Sequence, residues 1–193
     1  MVARLIGITG QAGSGKSEVS RFLADFGYTL VKFAAPLKDM LRSIYVGIGL
    51  TSDEIERRIE GDLKEVPCPY LSGQTPRHAM VTLGTEWGRV LMAPDFWIER
   101  WDDRISTRDS NVVTDDVRFE NEAKMLRSRG GIIIRVVPAV ARRQVSTHVS
   151  EAGIPDHLVD HEIVNDGTIS DLRRKVYDLL FPNVVETFGD LGE

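Results

Sequence analysis

Arg4-Leu5-Ile6-Gly7-Ile8-Thr9-Gly10-Gln11-Ala12-Gly13-Ser14-Gly15-Lys16-Ser17 is the stretch that decides the fold. Arg4 to Thr9 is a short apolar run that reads as a buried strand, and a glycine-rich loop follows it at once. Ser17 to Phe26 (SEVSRFLADF) then carries apolar residues at helical spacing and stops at Gly27. Tyr28 to Phe33 is β-branched and aromatic, which predicts a second strand. Strand, glycine loop, helix, strand is the opening of a parallel α/β sheet.

The loop has the pattern Gly-x4-Gly-Lys-Ser from Gly10 to Ser17. With glycine at the average protein frequency of about 7%, chance produces it in a chain of this size on the order of once in a hundred. Its place between a buried strand and a helix start is the context the pattern requires. Glycines let successive backbone N–H groups turn inward toward phosphate oxygens, and the helix amino end adds its positive dipole. Gly10, Gln11, Ala12, Gly13, Ser14, Gly15, Lys16 and Ser17 therefore form the expected ATP-binding set. Lys16 is expected on the β- and γ-phosphates and the Ser17 hydroxyl on Mg²⁺. The other reading of the stretch is a glycine-rich connection with no ligand.

Further along, Pro36 to Tyr45 reads as a helix, and Thr51-Ser52 with Asp53 and Glu54 as the capped start of another that ends near Gly61. Asp62 to Thr75 is rich in proline and glycine and reads as loop. Thr75-Pro76 opens a helix of about fifteen residues to Arg89, and Pro94-Asp95 opens one more through Arg104. No strand signal falls between Ala34 and Arg108, so a helical insertion is expected between two strands, at about 34–110. The sheet resumes at Asn111 to Asp115, with a helix from Glu120 to Arg129 behind it. Ile132 to Val137 reads as a central strand, and Ala139 to Val149 as an arginine-bearing, lid-like connector. His161 to Asn165 is a last strand, and Thr168 caps a helix from Ile169 to Leu180. A single domain over residues 1–193 is expected.

Composition narrows the function. The chain has 193 residues, 42% of them hydrophobic and 27% charged, with a formal net charge of -5 and no basic run. A general nucleic-acid partner therefore has little electrostatic support. One cysteine, Cys68, rules out an internal disulfide or a cysteine zinc site and reads as a buried thiol. Nothing near the amino terminus resembles a secretory signal, and no apolar stretch is long enough to span a bilayer. The expectation is a cytoplasmic protein without a membrane partner. No Asn-Lys-x-Asp guanine-reading motif is present, which weighs against a switch GTPase.

Three more clusters could carry chemistry. Thr114-Asp115-Asp116-Val117-Arg118-Phe119-Glu120-Asn121-Glu122 stands at the carboxyl end of the third strand, where open α/β sheets bind ligands. Its acids could hold a metal-bound water and its arginine neutralise phosphate, or they could simply decorate a helix amino terminus. Arg77, with Gly84-Thr85-Glu86-Trp87-Gly88-Arg89 and Pro94-Asp95-Phe96-Trp97, could grip a phosphate and stack a base on Trp97. The same residues could be an ordinary helical subdomain with an aromatic core. Arg142-Arg143, leading to His148 and Ser150-Glu151, is either a phosphate-closing connector or a solvated pair.

These stretches, with Phe33-Ala34-Ala35-Pro36-Leu37-Lys38 and Ile163-Val164-Asn165-Asp166-Gly167-Thr168, resemble the deoxynucleoside monophosphate kinases of tailed bacteriophages. Asp116-Val117-Arg118-Phe119-x-Asn121-Glu122 beside Leu83-Gly84-Thr85-Glu86 is the most specific part. The resemblance implies a P-loop kinase fold, with a parallel five-stranded sheet, flanking helices and an acceptor-binding helical insertion. It implies transfer of the ATP γ-phosphate to a deoxynucleoside 5′-monophosphate, with Mg²⁺ as cofactor, in support of phage DNA synthesis in the host cytoplasm. A homodimer is a further family-based expectation. Lys38, Arg77, Gly84, Thr85, Arg89 and Trp97 would serve the acceptor, with Asp116, Arg118 and Glu122 where the two sets of phosphates meet. Lys16, Asp116 and Arg118 would be catalytic, Ser17 with Asp116 or its neighbour Asp115 would take the metal, and Arg142 and Arg143 would face ATP.

Two other functions compete. A dephospho-coenzyme A kinase shares the core and the carboxy-terminal motif, but it wants an acid just after the second strand. Here that position reads Ala34-Ala35-Pro36, with Lys38 and Asp39 in the helix. A nucleotide-dependent binding module would not need the Asp116/Arg118 and Arg77/Trp97 constellations together.

Overall fold

In the computed structural model, which describes residues 5–139 and 153–182, Leu5–Thr9 forms a strand (β1) buried at every position. Two strands flank it, both parallel: Asn111–Thr114 (β3) on one side and Ile132–Pro138 (β4) on the other. Tyr28–Leu30 (β2) pairs with β3 and His161–Asn165 (β5) with β4, so the order is β2-β3-β1-β4-β5. Apolar residues on both faces of a strand are what a parallel sheet covered by helices demands. Ile6, Ile8, Val113, Ile134 and Val136 meet Val19 and Leu23 of helix α1 (Lys16–Asp25) in one buried cluster. Leu172, Val176 and Leu180 of helix α7 (Ile169–Leu180) complete it. Helix α6 (Glu120–Ser128) lies against Gly7, where an added Cβ would stand 2.6 Å from Leu126 Cδ1.

The chain divides into two compact units, Met1–Leu30 with Ser110–Glu193, and Val31–Asp109. In the first, β1 and β3 run side by side, with Gly7 opposite Thr114, so the segments after both strands emerge at the same, carboxyl end of the sheet.

Val31–Asp109 is built from helices α2 (Ala35–Gly47), α3 (Ser52–Ile59), α4 (Pro76–Thr82) and α5 (Phe96–Ser106), with a π-helix at Leu83–Met92. Its core gathers Leu37, Leu41, Tyr45, Ile55, Ile59, Cys68, Met80 and Trp97. The cap of α3 is a reciprocal Thr51–Glu54 box, as the sequence suggested. Cys68 is buried, and the Tyr45 hydroxyl donates to its Sγ at 3.8 Å. Among the described residues no helix is long and apolar enough to cross a membrane.

Two expected elements differ. The second strand ends at Leu30 instead of Phe33. The Val31 carbonyl accepts from Trp101 Nε1 at 2.9 Å, and the Phe33 ring lies 4.4 Å from that of Trp101, so these residues belong to the helical unit. The fifteen-residue helix expected from Thr75 to Arg89 is α-helical only to Thr82 and continues as a π-helix to Met92. Ala93 N donates to Gly88 O, five residues back, as a π-turn requires. The lid-like connector, apart from Ala139, lies outside the described residues, and so do Arg142, Arg143, His148, Ser150 and Glu151.

Candidate active site

The phosphate loop begins where β1 ends. Gly10 has φ of +139°, and a Cβ there would stand 2.3 Å from the Val136 carbonyl oxygen. Gly13 and Gly15 have φ of +74° and +107°, the left-handed region that side chains resist. Gly15 caps α1, and its carbonyl accepts from Glu18 N and Val19 N. Lys16 folds back over the loop: its Nζ donates to Gly10 O and Gln11 O, each at 2.7 Å. Its ammonium thus rests on carbonyls that a bound phosphate could replace as its partner. Ser17 opens the first turn of α1.

Beyond β3, the two adjacent acids are held differently. Asp115 is buried, and its Oδ2 accepts from Ser20 Oγ at 3.0 Å. Ser20 also lies 3.2 Å from Ser17 O, so the Asp115 carboxylate stands against the turn of α1 that carries Ser17. Asp116 is half-buried, with Thr114 Oγ1 donating to its Oδ1 at 3.0 Å. The segment turns back toward β1, where Val117 N donates to Ile8 O. Arg118 is exposed. Sequence reading missed Ser20, whose only signal was a small hydroxyl three residues after Ser17.

Glu122, expected near the phosphates, has a structural task. It is 2% exposed, and its Oε2 accepts from Arg118 N at 2.8 Å and Phe119 N at 3.0 Å, closing the amino end of α6. The carboxylate is thereby spent on two backbone donors a helix start leaves open. Its contribution to the site is to shape the turn that bears Arg118.

Within Val31–Asp109 the acceptor candidates occupy distinct environments. Lys38 is almost buried, with its Nζ 2.6 Å from Glu60 Oε1. Arg77 pairs with Glu65, and its own N–H donates to Lys64 O. Gly84 is buried, and its carbonyl accepts from Arg89 Nη1 at 2.7 Å and Trp97 Nε1 at 2.9 Å. Thr85 is half-buried on the same π-helical turn. Trp97 overturns the stacking role expected of it. It is 1% exposed, enclosed by Trp87 and Phe96, and set against Gly88, where a Cβ would meet Nε1 at 2.0 Å. No ring face remains for a base. Trp101 is equally buried, so of the three tryptophans only Trp87 keeps exposed surface.

A charged network lies beside Lys38. Arg42 donates Nε and Nη2 to the two Glu56 oxygens at 2.6 and 2.9 Å, and Nη1 to Asp39. Arg104 pairs with Asp39 from α5. Arg42 holds the Glu56 carboxyl below its ordinary range, chiefly through that hydrogen bond. Asp39, inside α2, is thus occupied by two guanidinium groups.

Among the described residues no group of three or more His, Cys, Asp or Glu side chains could hold a metal by itself. The donors fit a metal that arrives with its nucleotide, for which one hydroxyl and one carboxylate suffice beside phosphate oxygens. The deoxynucleotide monophosphate kinase family model matches residues 72–176. The chain is 37% identical over 113 residues to the deoxynucleoside-5′-monophosphate kinase of Escherichia phage T5, covering 54% of this chain and 45% of that protein. It is 30% identical over 189 residues to a protein of Acanthamoeba polyphaga mimivirus provisionally named a deoxynucleotide monophosphate kinase. That match covers 89% of this chain and 93% of the viral protein. The chain thus spans less than half of the T5 protein but nearly all of the mimivirus one. Among solved structures it is similar to TT1252 from Thermus thermophilus, with a TM-score of 0.45 and 19% identity over 95% of this chain and 100% of that one. It is also similar to shikimate kinase from Acinetobacter baumannii, with a TM-score of 0.43 and 15% identity over 96% and 97%.

Proposed function

The chain belongs to the deoxynucleotide monophosphate kinase family, and on that premise we propose that it transfers the γ-phosphate of ATP to a deoxynucleoside 5′-monophosphate, giving the diphosphate and ADP. The observation that carries this reading is the pairing of loop and acids. Lys16 and Ser17 follow β1, Asp115 and Asp116 follow the adjacent parallel β3, and Ser20 links Asp115 to α1.

Lys16 exchanges its two loop carbonyls for β- and γ-phosphate oxygens when ATP binds. Ser17 and Asp115 would hold Mg²⁺ with the nucleotide, Asp115 being the acid fixed against α1. The metal, when bound, neutralises charge building on the transferring group. Asp116 and Arg118 serve the acceptor phosphate. That oxygen is already a nucleophile at neutral pH, so positioning and charge neutralisation do most of the work. In Val31–Asp109, Lys38, Arg77, Thr85 and Arg89 contribute to acceptor recognition, with Gly84 shaping the turn. Stacking on tryptophan, where the base uses it, falls to Trp87.

A coupled ADP-release assay tests the proposal, with ATP and Mg²⁺ and each of dAMP, dGMP, dCMP, dTMP, the ribonucleotides and dephospho-coenzyme A. Turnover dependent on a deoxynucleotide is expected. Turnover with dephospho-coenzyme A alone would move the chain to a different acceptor, and ATP binding without turnover on any acceptor would make it a nucleotide-binding module.

A further inference from the structure

Asn165 ends β5, in a stretch that the sequence singled out but the reaction leaves without a task. Its Nδ2 donates to Ser14 O at 2.9 Å, across 151 residues of chain. Ser14 O and Gly15 N–H belong to one peptide unit, and in a trans peptide these two groups point in opposite directions. Holding that carbonyl toward β5 therefore turns the Gly15 N–H away from β5. Gly15 itself presses on the same brace: a Cβ there would stand 2.7 Å from Asn165 Nδ2 and 3.0 Å from Leu172 Cδ2. The outer flank of the loop is thus filled by β5 and α7, and its donor flank faces the other way.

We propose that Asn165 is a positioning residue for triphosphate binding, which pins the Ser14 carbonyl outward so that the Gly15 N–H is aimed at phosphate before the nucleotide arrives. The proposal rests on the nucleotide-binding reading given above. Without the brace the Ser14–Gly15 peptide can rotate, because glycine tolerates either orientation. The donor must then be oriented at the moment of binding, and affinity falls by that cost. Asn165 touches no substrate in this scheme. Its backbone carbonyl, which accepts from Ala139 N, is unaffected by a change of side chain.

The test uses the full chain with Asn165→Ala, which deletes the donor, and Asn165→Leu, which keeps most of the volume without it. ATP and ADP affinities are read by calorimetric titration with Mg²⁺, alongside kcat, the KM of a deoxynucleotide acceptor and the urea midpoint. Both variants should bind ATP about tenfold more weakly, the loss expected of one ordinary hydrogen bond. The acceptor KM and the urea midpoint should stay near the wild-type values. Leucine binding ATP like wild type would show that Asn165 acts by filling space, and overturn the proposal. So would equal ATP affinity in all three proteins, or a parallel loss of ATP and acceptor affinity with a lowered urea midpoint. A wild-type protein that does not bind ATP would overturn the nucleotide-binding reading together with this one.

Discussion

Replacing Gly88 with alanine sets a sequence rule against a packing fact. Gly88 sits inside the π-helix Leu83–Met92, where alanine is favoured over glycine by about 0.5–1 kcal/mol through propensity alone. The structure says otherwise. The new Cβ would lie 2.0 Å from Trp97 Nε1, 2.5 Å from Cε2 and 2.9 Å from Cζ2. The indole has nowhere to go: it is 1% exposed, with Trp87 at 5.8 Å and Phe96 at 4.8 Å between ring centroids. Overpacking of this kind costs about 1–3 kcal/mol. Displacing the indole also ends its 2.9 Å bond to Gly84 O and strands a buried N–H, for about 1–3 kcal/mol more. Against the gain in propensity, Gly88→Ala should destabilise this unit by about 1–5 kcal/mol. All three tryptophans lie within Val31–Asp109, so tryptophan fluorescence, excited selectively over tyrosine, follows this unit in a urea titration. Gly47→Ala is the control, since nothing lies within 4 Å of a Cβ added at the end of α2. It should be neutral or raise stability by up to about 1 kcal/mol. A Gly88→Ala midpoint at or above the wild-type value would refute the reasoning.

Asp115→Asn should lower turnover by about 10²–10³ while ATP still binds, and Asp116→Asn should cost less. Full activity in the first with loss in the second would give the metal to Asp116. Glu122→Ala removes the buried carboxylate that accepts from two N–H groups at a helix start and should cost about 1–3 kcal/mol of stability, with Glu122→Gln recovering much of it. Urea unfolding followed by circular dichroism reads the difference, and no loss in the alanine variant would sink the capping role. Glu56 gives a pH dependence: its folded pKa lies below the ordinary 4.5, so its contribution is present above that value and lost as pH falls through the depressed one. Glu56→Gln should flatten the fall in fluorescence-detected stability below about pH 4.5. Equal slopes in the two proteins would count against the Arg42–Glu56 pairing.

The sheet was legible because its signals are local. An apolar run, a glycine loop and a helical period each declare themselves within ten residues, and the parallel order follows from how such units connect. Thr51 with Glu54 and Thr168 with Asp171 show the same locality, for a capping box spans only four residues. Two features were not legible, because their cause lies far along the chain. The second strand stops at Leu30 since Trp101, seventy residues on, takes the Val31 carbonyl. The helix after Thr75 widens at Leu83 where Gly84 and Gly88 meet Trp97. A sequence read in windows sees good helix formers there and cannot see the indole.

The site divides along the same line. Backbone geometry at Gly10, Gly13 and Gly15 is written in residue type, because few other residues accept those torsions. The duty of a charged or aromatic side chain is not, because it depends on which partner arrives first. Glu122 looks like an acid facing the phosphates until two amides of its own turn claim it. Trp97 looks like a stacking face until Gly88 admits it to the core. Lys38 and Arg77 already stand against Glu60 and Glu65, so an acceptor phosphate bound by either must compete with a carboxylate already in place. On the proposed acceptor role, that competition would make acceptor affinity a difference between two ion pairs. Exposed pairs such as Arg77–Glu65 are worth little to stability, about 0–1 kcal/mol. A dianionic phosphate can displace such a carboxylate at small cost, whereas the nearly buried Lys38 surrenders Glu60 only if the incoming oxygen restores the whole contact. On the acceptor role proposed for these two residues, Arg77 would accordingly be the better first contact, and Lys38 the residue whose pairing decides whether the acceptor stays.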